Sequence, residues 1–247
     1  MTQGAEGTVE AALHRFDAVP STMDVLHELA EAGAATGTAV VAAEQTAGRG
    51  SRGRRWQSPR GGLWLSVLLR PARDATELLS LRAGLAIAAA LEDAHPALDV
   101  RIKWPNDLLW RDRKLGGVLC EARWLGEAPA WTAVGVGLNV RNRVPEEVAL
   151  MAGALGEVLA HATPETVLDL ILPRLRGLDG ASPRLAPGEL AELERRDWLR
   201  GRELAAPVAG TAAGIGDDGA LLVRAPDGRA EEVRAGTVRL ADPRGSR

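Results

Sequence analysis

Two lysines stand apart in a chain whose cations are otherwise all arginine. Of 30 basic residues only Lys103 and Lys114 are lysine, and they lie 11 positions apart. Arginine is a wide planar fork and lysine a compact point charge on a flexible stem, so these two positions read as places where only an ammonium serves. Both fall in polar clusters: Lys103-Trp104-Pro105-Asn106-Asp107 ends one predicted strand, and Lys114-Leu115-Gly116-Gly117 begins another. Together they suit the polar end of a nucleotide pocket. Lysine meets phosphate or carboxylate oxygens there, and Asn106 and Asp107 could hold Mg²⁺ or its waters. Pro-Asn-Asp would equally make an ordinary turn with no ligand. Amides are as scarce as lysines, with Asn only at 106, 139 and 142 and Gln only at 3, 45 and 57.

A second concentration lies upstream. The stretch 44–62 has five glycines, five arginines and almost nothing apolar except Trp56. So long a run without structure inside a compact domain is usually functional or mobile. In Gly48-Arg49-Gly50-Ser51-Arg52-Gly53-Arg54-Arg55-Trp56, glycines let backbone N–H groups approach an anion and arginines grip phosphate or carboxylate by forked bonds. A solvated basic loop is the plainer alternative. It is not a P-loop, since GxxxxGK[ST] is absent. Gly135-Val136-Gly137-Leu138-Asn139 lacks the third glycine of a dinucleotide fingerprint, and Pro145 follows without a preceding βαβ unit. Closely packed backbone, with Asn139 facing a ligand, fits better. The four histidines (14, 27, 95, 161) have no metal spacing and read as surface or packing residues, and no catalytic triad is legible.

The elements that must position these groups follow from periodicity and punctuation. Ser21 caps a first helix, with Asp24 in capping-box position and Val25, Leu26, Leu29 and Ala32 as its stripe. Strands are predicted at 38–43, 63–69, 100–104, 108–110, 115–124 and 131–140, and helices at 76–94, 145–160, 164–178 and 187–200. Beyond residue 200, short apolar runs (204–208, 220–223, 237–240) alternate with tight-turn signals, the pattern of a small β-module. The boundary is placed near 197–201, giving domains 1–198 and 199–247.

Composition excludes several classes. The 247 residues are 46% hydrophobic and 26% charged, ordinary for a globular chain with a real core. A net charge of −3 supplies no global basic field for DNA or an anionic membrane. The single Cys120 excludes a disulfide scaffold and fits a reducing cytoplasm. The N-terminal ten residues are polar and acidic, unlike a signal peptide, and no apolar run approaches a membrane span. A cytoplasmic protein is expected.

Five motifs, in order and spacing, resemble those of biotin protein ligases: Ser21-Thr22-Met23-Asp24, the loop Glu44 to Trp56, Lys103 to Asp107, Lys114 to Gly117, and Gly135 to Asn139. The likeness runs from about residue 15 to the end. It implies an α+β fold, a mixed β-sheet catalytic domain with flanking helices (the class II synthetase-like biotin–lipoate ligase fold), followed by an SH3-like β-barrel. It implies that Ser21, Thr22, Met23, Gln45, Arg49, Gly50, Ser51, Lys114 and Gly116 bind biotin. Arg52, Arg54, Trp56, Lys103, Asn106, Asp107 and Asn139 would form the ATP side, with Mg²⁺ at Asn106 and Asp107. Lys114, Arg49 and Arg54 would be the catalytic cations. The implied activity makes biotinyl-5′-AMP and transfers biotin to a lysine of the biotin carboxyl carrier of acetyl-CoA or acyl-CoA carboxylase.

Two departures accompany the resemblance. Many family members carry arginine where this chain has Ser51, so a looser hold on the adenylate is expected, with Arg52 as a compensating cation. About twenty residues precede Ser21, too few for the winged helix-turn-helix of the transcription-regulating members, so no repressor function is expected and no DNA partner. A monomer or a homodimer is expected. The competing readings are a lipoate or octanoyl transferase relative, a biotin-binding protein that consumes no ATP and, last, a nucleic-acid-binding module.

Overall fold

The computed structural model describes residues 11–144 and 146–241. The expectations placed on the N-terminal ten residues, on Pro145 and on the last six residues lie outside that range. The chain opens with an unpredicted strand, β1 (Leu13–Val19), which pairs in parallel with β2 (Ala39–Gln45). β1 is a largely exposed edge strand carrying His14, Arg15 and Asp17, so it has no hydrophobic alternation to announce it.

Between them lies α1 (Thr22–Glu31), where the Ser21 hydroxyl accepts the Met23 N–H at 3.3 Å. Such a cap is worth about 1 kcal/mol. The capping box does not form: Asp24 turns outward to Arg49. Met23, Leu26 and Ala30 make the buried stripe.

β3 (Leu63–Leu69), β4 (Arg101–Lys103), β5 (Asp107–Trp110), β6 (Arg113–Leu125) and β7 (Ala128–Leu138) complete a seven-stranded sheet ordered β1-β2-β3-β7-β6-β5-β4. Every pair but β1–β2 is antiparallel. Alternate residues point to opposite faces. Val40, Leu68 and Ala133 therefore pack with α1, while Ala39, Val67, Leu69 and Val134 join the larger core. That second face is covered by α2 (Leu79–Ala94) and α3 (Pro164–Arg176), which also pack on each other. Buried Leu and Ile side chains there contribute roughly 1.5–3 kcal/mol each.

Three predicted helices change. The turns before α2 are a 3-10 helix, Arg73–Leu78, with the α-helix starting at Leu79. Within 146–160 there are only two 3-10 turns, Glu146–Val148 and Leu155–Glu157. The backbone there bonds to the sheet instead: Lys114 N–H reaches Met151 O at 2.7 Å, Gly153 N–H reaches Lys114 O at 3.0 Å, and Leu155 N–H reaches Asn139 O at 3.0 Å. Tertiary pairing overrides the local periodicity. Finally, α4 (Pro187–Arg196) stops before 200 because Asp197 bridges to Ile102 and the Trp198 N–H donates to Ile102 O, covering the β4 edge.

The C-terminal module is a five-stranded antiparallel sheet of β8 (Glu203–Ala206), β9 (Gly210–Ile215), β10 (Leu221–Arg224), β11 (Ala230–Val233) and β12 (Arg239–Leu240), ordered β11-β10-β9-β8-β12. β9 and β11 were not predicted. Among the described residues no pairing joins β11 to β12. The module meets the seven-stranded sheet through Trp104, just past β4, whose indole N–H donates to Gly219 O at 2.9 Å.

Candidate active site

The α1 face of the sheet is hollowed where β7 has no side chains. A Cβ at Gly135 would lie 2.8 Å from Met23 Sδ, and one at Gly137 would lie 2.7 Å from Trp56 Nε1. Met23 and Trp56 therefore rest on bare backbone, and between them opens a cavity of about 230 Å³. Ser21, Thr22, Met23, Gln45, Arg49, Gly50, Ser51, Arg54, Trp56, Asn106, Asp107 and Lys114 all line it, although they are drawn from five separate stretches of chain.

One end is polar and uncharged. Gln45 Oε1 accepts from the Thr22 N–H at 2.8 Å and the Thr22 hydroxyl at 3.1 Å. Its amide N–H donates to Ser58 Oγ at 2.8 Å, and the Thr22 and Ser66 hydroxyls meet at 2.8 Å. Every partner holds another, so amide and hydroxyl orientations are set in advance of any ligand. Ser58 and Ser66 were missed in the sequence. Nothing marks them there, because an isolated bridge brings Ser58 to Gln45 and the register of β3 on β2 brings Ser66 to Thr22.

The other end is charged. Lys114 Nζ donates to Asp107 Oδ1 at 2.6 Å and stands 4.9 Å from the centroid of the Trp56 ring. The Asn106 amide donates to Val118 O at 2.7 Å. Trp56 Nε1 is buried and has no hydrogen-bond partner. Arg54 donates to the Ser51 carbonyl at 3.2 Å and to the Ser51 hydroxyl at 2.9 Å, so Ser51 orients it. Arg49 lines the cavity and is also held from behind. Its guanidinium forks onto Glu121 at 3.1 and 3.0 Å and also bonds Asp24, pinning the root of the loop to α1 and β6.

A second cavity of about 470 Å³ adjoins the first and shares Ser51, Arg54, Asn106 and Asp107 with it. It adds Arg52, held in the left-handed region at φ 61°, and Lys103. Burial pushes the Lys103 amine below its usual range, and Lys114 and Arg54 push the same way against the pull of Asp107. Gly236, Thr237 and Val238 of the C-terminal module close one wall. Cys120 lies there too, its thiol pushed up to about 12 by burial, which makes it a poor nucleophile.

Two expected site residues lie outside both cavities. A Cβ at Gly116 would fall 2.3 Å from Gly137 O, so this glycine serves the β6–β7 contact while Gly117 lines the cavity. Asn139 is buried and its side-chain oxygen accepts from Asn142 at 3.0 Å. As a metal pair, Asn106 and Asp107 retain one amide oxygen and one carboxylate oxygen after the bonds to Val118 and Lys114. Among the described residues no cluster of three His, Cys, Asp or Glu stands ready for a metal. Such a donor set fits Mg²⁺ whose remaining ligands are phosphate oxygens and water.

The family model described as Biotin/lipoate A/B protein ligase family matches residues 15–139. The biotin–[acetyl-CoA-carboxylase] ligase of Paracoccus denitrificans is 37% identical over 209 residues, 77% of this chain and 85% of that protein. The bifunctional ligase/repressor BirA of Bacillus subtilis is 34% identical over 225 residues, 86% of this chain and 69% of that protein. Among solved structures, the Aquifex aeolicus biotin protein ligase in complex with biotin and ATP aligns with a TM-score of 0.78 at 30% identity, covering 93% of this chain and 99% of that one. With Lys114, Asp107 and the glycine-rich loop gathered at one end of a preformed cavity, the chain belongs to the biotin/lipoate A/B protein ligase family, among the biotin protein ligases.

Proposed function

We propose that the chain activates biotin with ATP and transfers it to a lysine of a biotin carboxyl carrier. A biotin carboxylate oxygen attacks the α-phosphorus, pyrophosphate leaves, and the mixed anhydride biotinyl-5′-AMP remains. The ε-amine of the carrier lysine then attacks the acyl carbon, AMP leaves, and an amide is formed. The observation that carries this reading is the position of Lys114 at the charged end of the first cavity, beside Asn106 and Asp107, which line both cavities.

Each part of the site has a task in that scheme. The pre-oriented Thr22–Gln45 end suits a neutral ureido ring, which presents a carbonyl acceptor and two N–H donors. Biotin carboxylate and ATP are both anions, so the reacting atoms must meet among cations, and Lys114, Arg54 and Arg52 stand there. Trp56 Nε1–H, buried and unpaired, is a donor awaiting an acceptor. Bound Mg²⁺, held by Asn106, Asp107 and the nucleotide phosphates, would neutralise phosphate charge. The glycine-rich loop covers an anhydride that water would otherwise destroy. The catalysis is positioning and charge stabilisation, with no covalent enzyme nucleophile.

The acceptor is a biotin carboxyl carrier of acetyl-CoA or acyl-CoA carboxylase, and the C-terminal module, three residues of which wall the second cavity, helps to dock it. The net charge of −3 supports neither a DNA nor a membrane partner, and among the described residues no helix is long and apolar enough to cross a membrane. A cytoplasmic monomer or homodimer completes the proposal. The test is biotin-dependent exchange of labelled pyrophosphate into ATP. Exchange that needs biotin and collapses in Lys114→Ala supports the reading. Exchange with lipoate or octanoate alone moves the chain to the sister ligases, and no exchange with any acid leaves a binding protein.

A further inference from the structure

One buried titratable side chain has no part in the chemistry above. His27, on α1, is 4% exposed and lines neither cavity. The Trp131 indole N–H, from β7, donates to His27 Nδ1 at 2.9 Å. An indole nitrogen only donates, so Nδ1 is the accepting nitrogen and the ring proton sits on Nε2. Nε2 faces Glu121 Oε2 of β6 at 3.4 Å, a contact short of hydrogen-bond alignment, and has no hydrogen-bond partner. That same oxygen takes Arg49 Nη2 at 3.0 Å, while Oε1 takes Arg49 Nε at 3.1 Å. Asp24, also on α1, holds the remaining arm of Arg49.

A relay of four side chains from four parts of the fold thus ends on Arg49, at the root of the glycine-rich loop: Trp131, His27, Glu121, Arg49. Each link restricts the next. Trp131 chooses the histidine tautomer, the tautomer presents a donor to Glu121, and Glu121 must lie flat to meet both guanidinium nitrogens.

We propose that His27 is a positioning residue: by orienting the Glu121 carboxylate toward Arg49 it keeps the loop 49–56 seated over the ligand cavity. Three observations support it. The ring is buried where a leucine would fill the space at less polar cost, its Nε2 has a single charged neighbour, and that neighbour is the anchor of the loop. The loop in turn carries Ser51 and Arg54, which line both cavities. The inference rests on the ligase reading only for what the loop retains, because loop order can be measured without ligand.

The loop supplies its own probe, since trypsin cuts after Arg49, Arg52, Arg54 and Arg55. In the full-length, ligand-free protein, His27→Leu should raise cutting within 49–55 about fivefold, the scale of one lost polar contact to a carboxylate, with Tm unchanged. His27→Gln, whose amide places an N–H near the position of Nε2, should return cutting to within about twofold of wild type. Release of biotinyl-5′-AMP should follow the same order. Unchanged cutting in His27→Leu, or a His27→Gln variant as open as His27→Leu, overturns the proposal. Should His27→Leu lower Tm, Trp131→Phe removes the donor to Nδ1 and keeps a ring. Faster loop cutting in that variant supports the relay, and wild-type cutting overturns it. Absence of adenylate formation in the wild type would sink the ligase reading, while the proteolysis would still decide the role of His27.

Discussion

Lys114 Nζ and Asp107 Oδ1 meet at 2.6 Å across the β5–β6 hairpin, with the Trp56 ring 4.9 Å from the same ammonium. A single carboxylate and a π-face hold the lysine in place and leave ammonium hydrogens for two incoming anions. A guanidinium is wider and planar, and does not fit between a strand carboxylate and an indole as an ammonium does. Lys114→Ala should therefore slow biotin-dependent pyrophosphate exchange on the order of a hundredfold or more. Lys114→Arg should recover less than about a tenth of the wild-type rate. Wild-type exchange in Lys114→Arg would remove the argument drawn from lysine scarcity.

The hollow on β7 depends on glycine. Gly137→Ala places a methyl 2.7 Å from Trp56 Nε1, and the indole must move. Overpacking of this kind costs about 1–3 kcal/mol. Biotin affinity measured by calorimetry should fall with it. Gly84→Ala is the control: its Cβ meets only Ile102 Cδ1, at 3.6 Å, inside α2. It should raise stability by roughly 0.5–1 kcal/mol, since alanine is the better helix former. Equal biotin affinity in both variants would show that Trp56 does not wall the ligand.

Ser51 offers a hydroxyl where a cation is expected from the resemblance, and that hydroxyl holds Arg54 at 2.9 Å. A Ser51→Arg variant gives up this bond and adds a charge beside the phosphate. Adenylate release, followed after dilution of the preformed complex, should slow a few-fold, as expected for one added partly exposed charge contact. Identical release rates would mean that Arg52 and Arg54 already suffice.

His27 first, and then Arg49, hold the Glu121 carboxyl below its ordinary 4.5, down to about 2. A depressed carboxylate contributes stability that is whole above its unfolded value and is lost as pH falls through its folded value. The window is therefore about pH 4.5 to 2. Glu121→Gln should be less stable than wild type at pH 7, and the gap should narrow as the pH falls through that window. A gap that stays constant from pH 7 to the acid limit of folding would show that the carboxylate charge is not what holds Arg49.

Much of this molecule was legible in one dimension because its cause is local. Ser21 caps α1 through its own neighbours, Leu63–Leu69 is apolar but for Ser66 because both its faces are covered, and Gly48–Trp56 declares itself by composition. The order of the motifs was enough to name the family. The partners of the motifs were decided elsewhere. Ser66 reaches Thr22 only through the β2–β3 register, where a one-residue slip would turn it to the other face, and Ser58 reaches Gln45 through an isolated bridge from the loop. The β6–β7 register puts Gly117 at the cavity and Gly116 against Gly137 O, and just past β7 Asn139 turns to Asn142. Helical periodicity at 145–160 lost to hydrogen bonds with Lys114 and the end of β7, and β1 exists because β2 offers it an edge. Local chemistry determined which residues could act; pairing between distant strands, whose energy depends on contacts that no sequence window contains, decided which of them face one another.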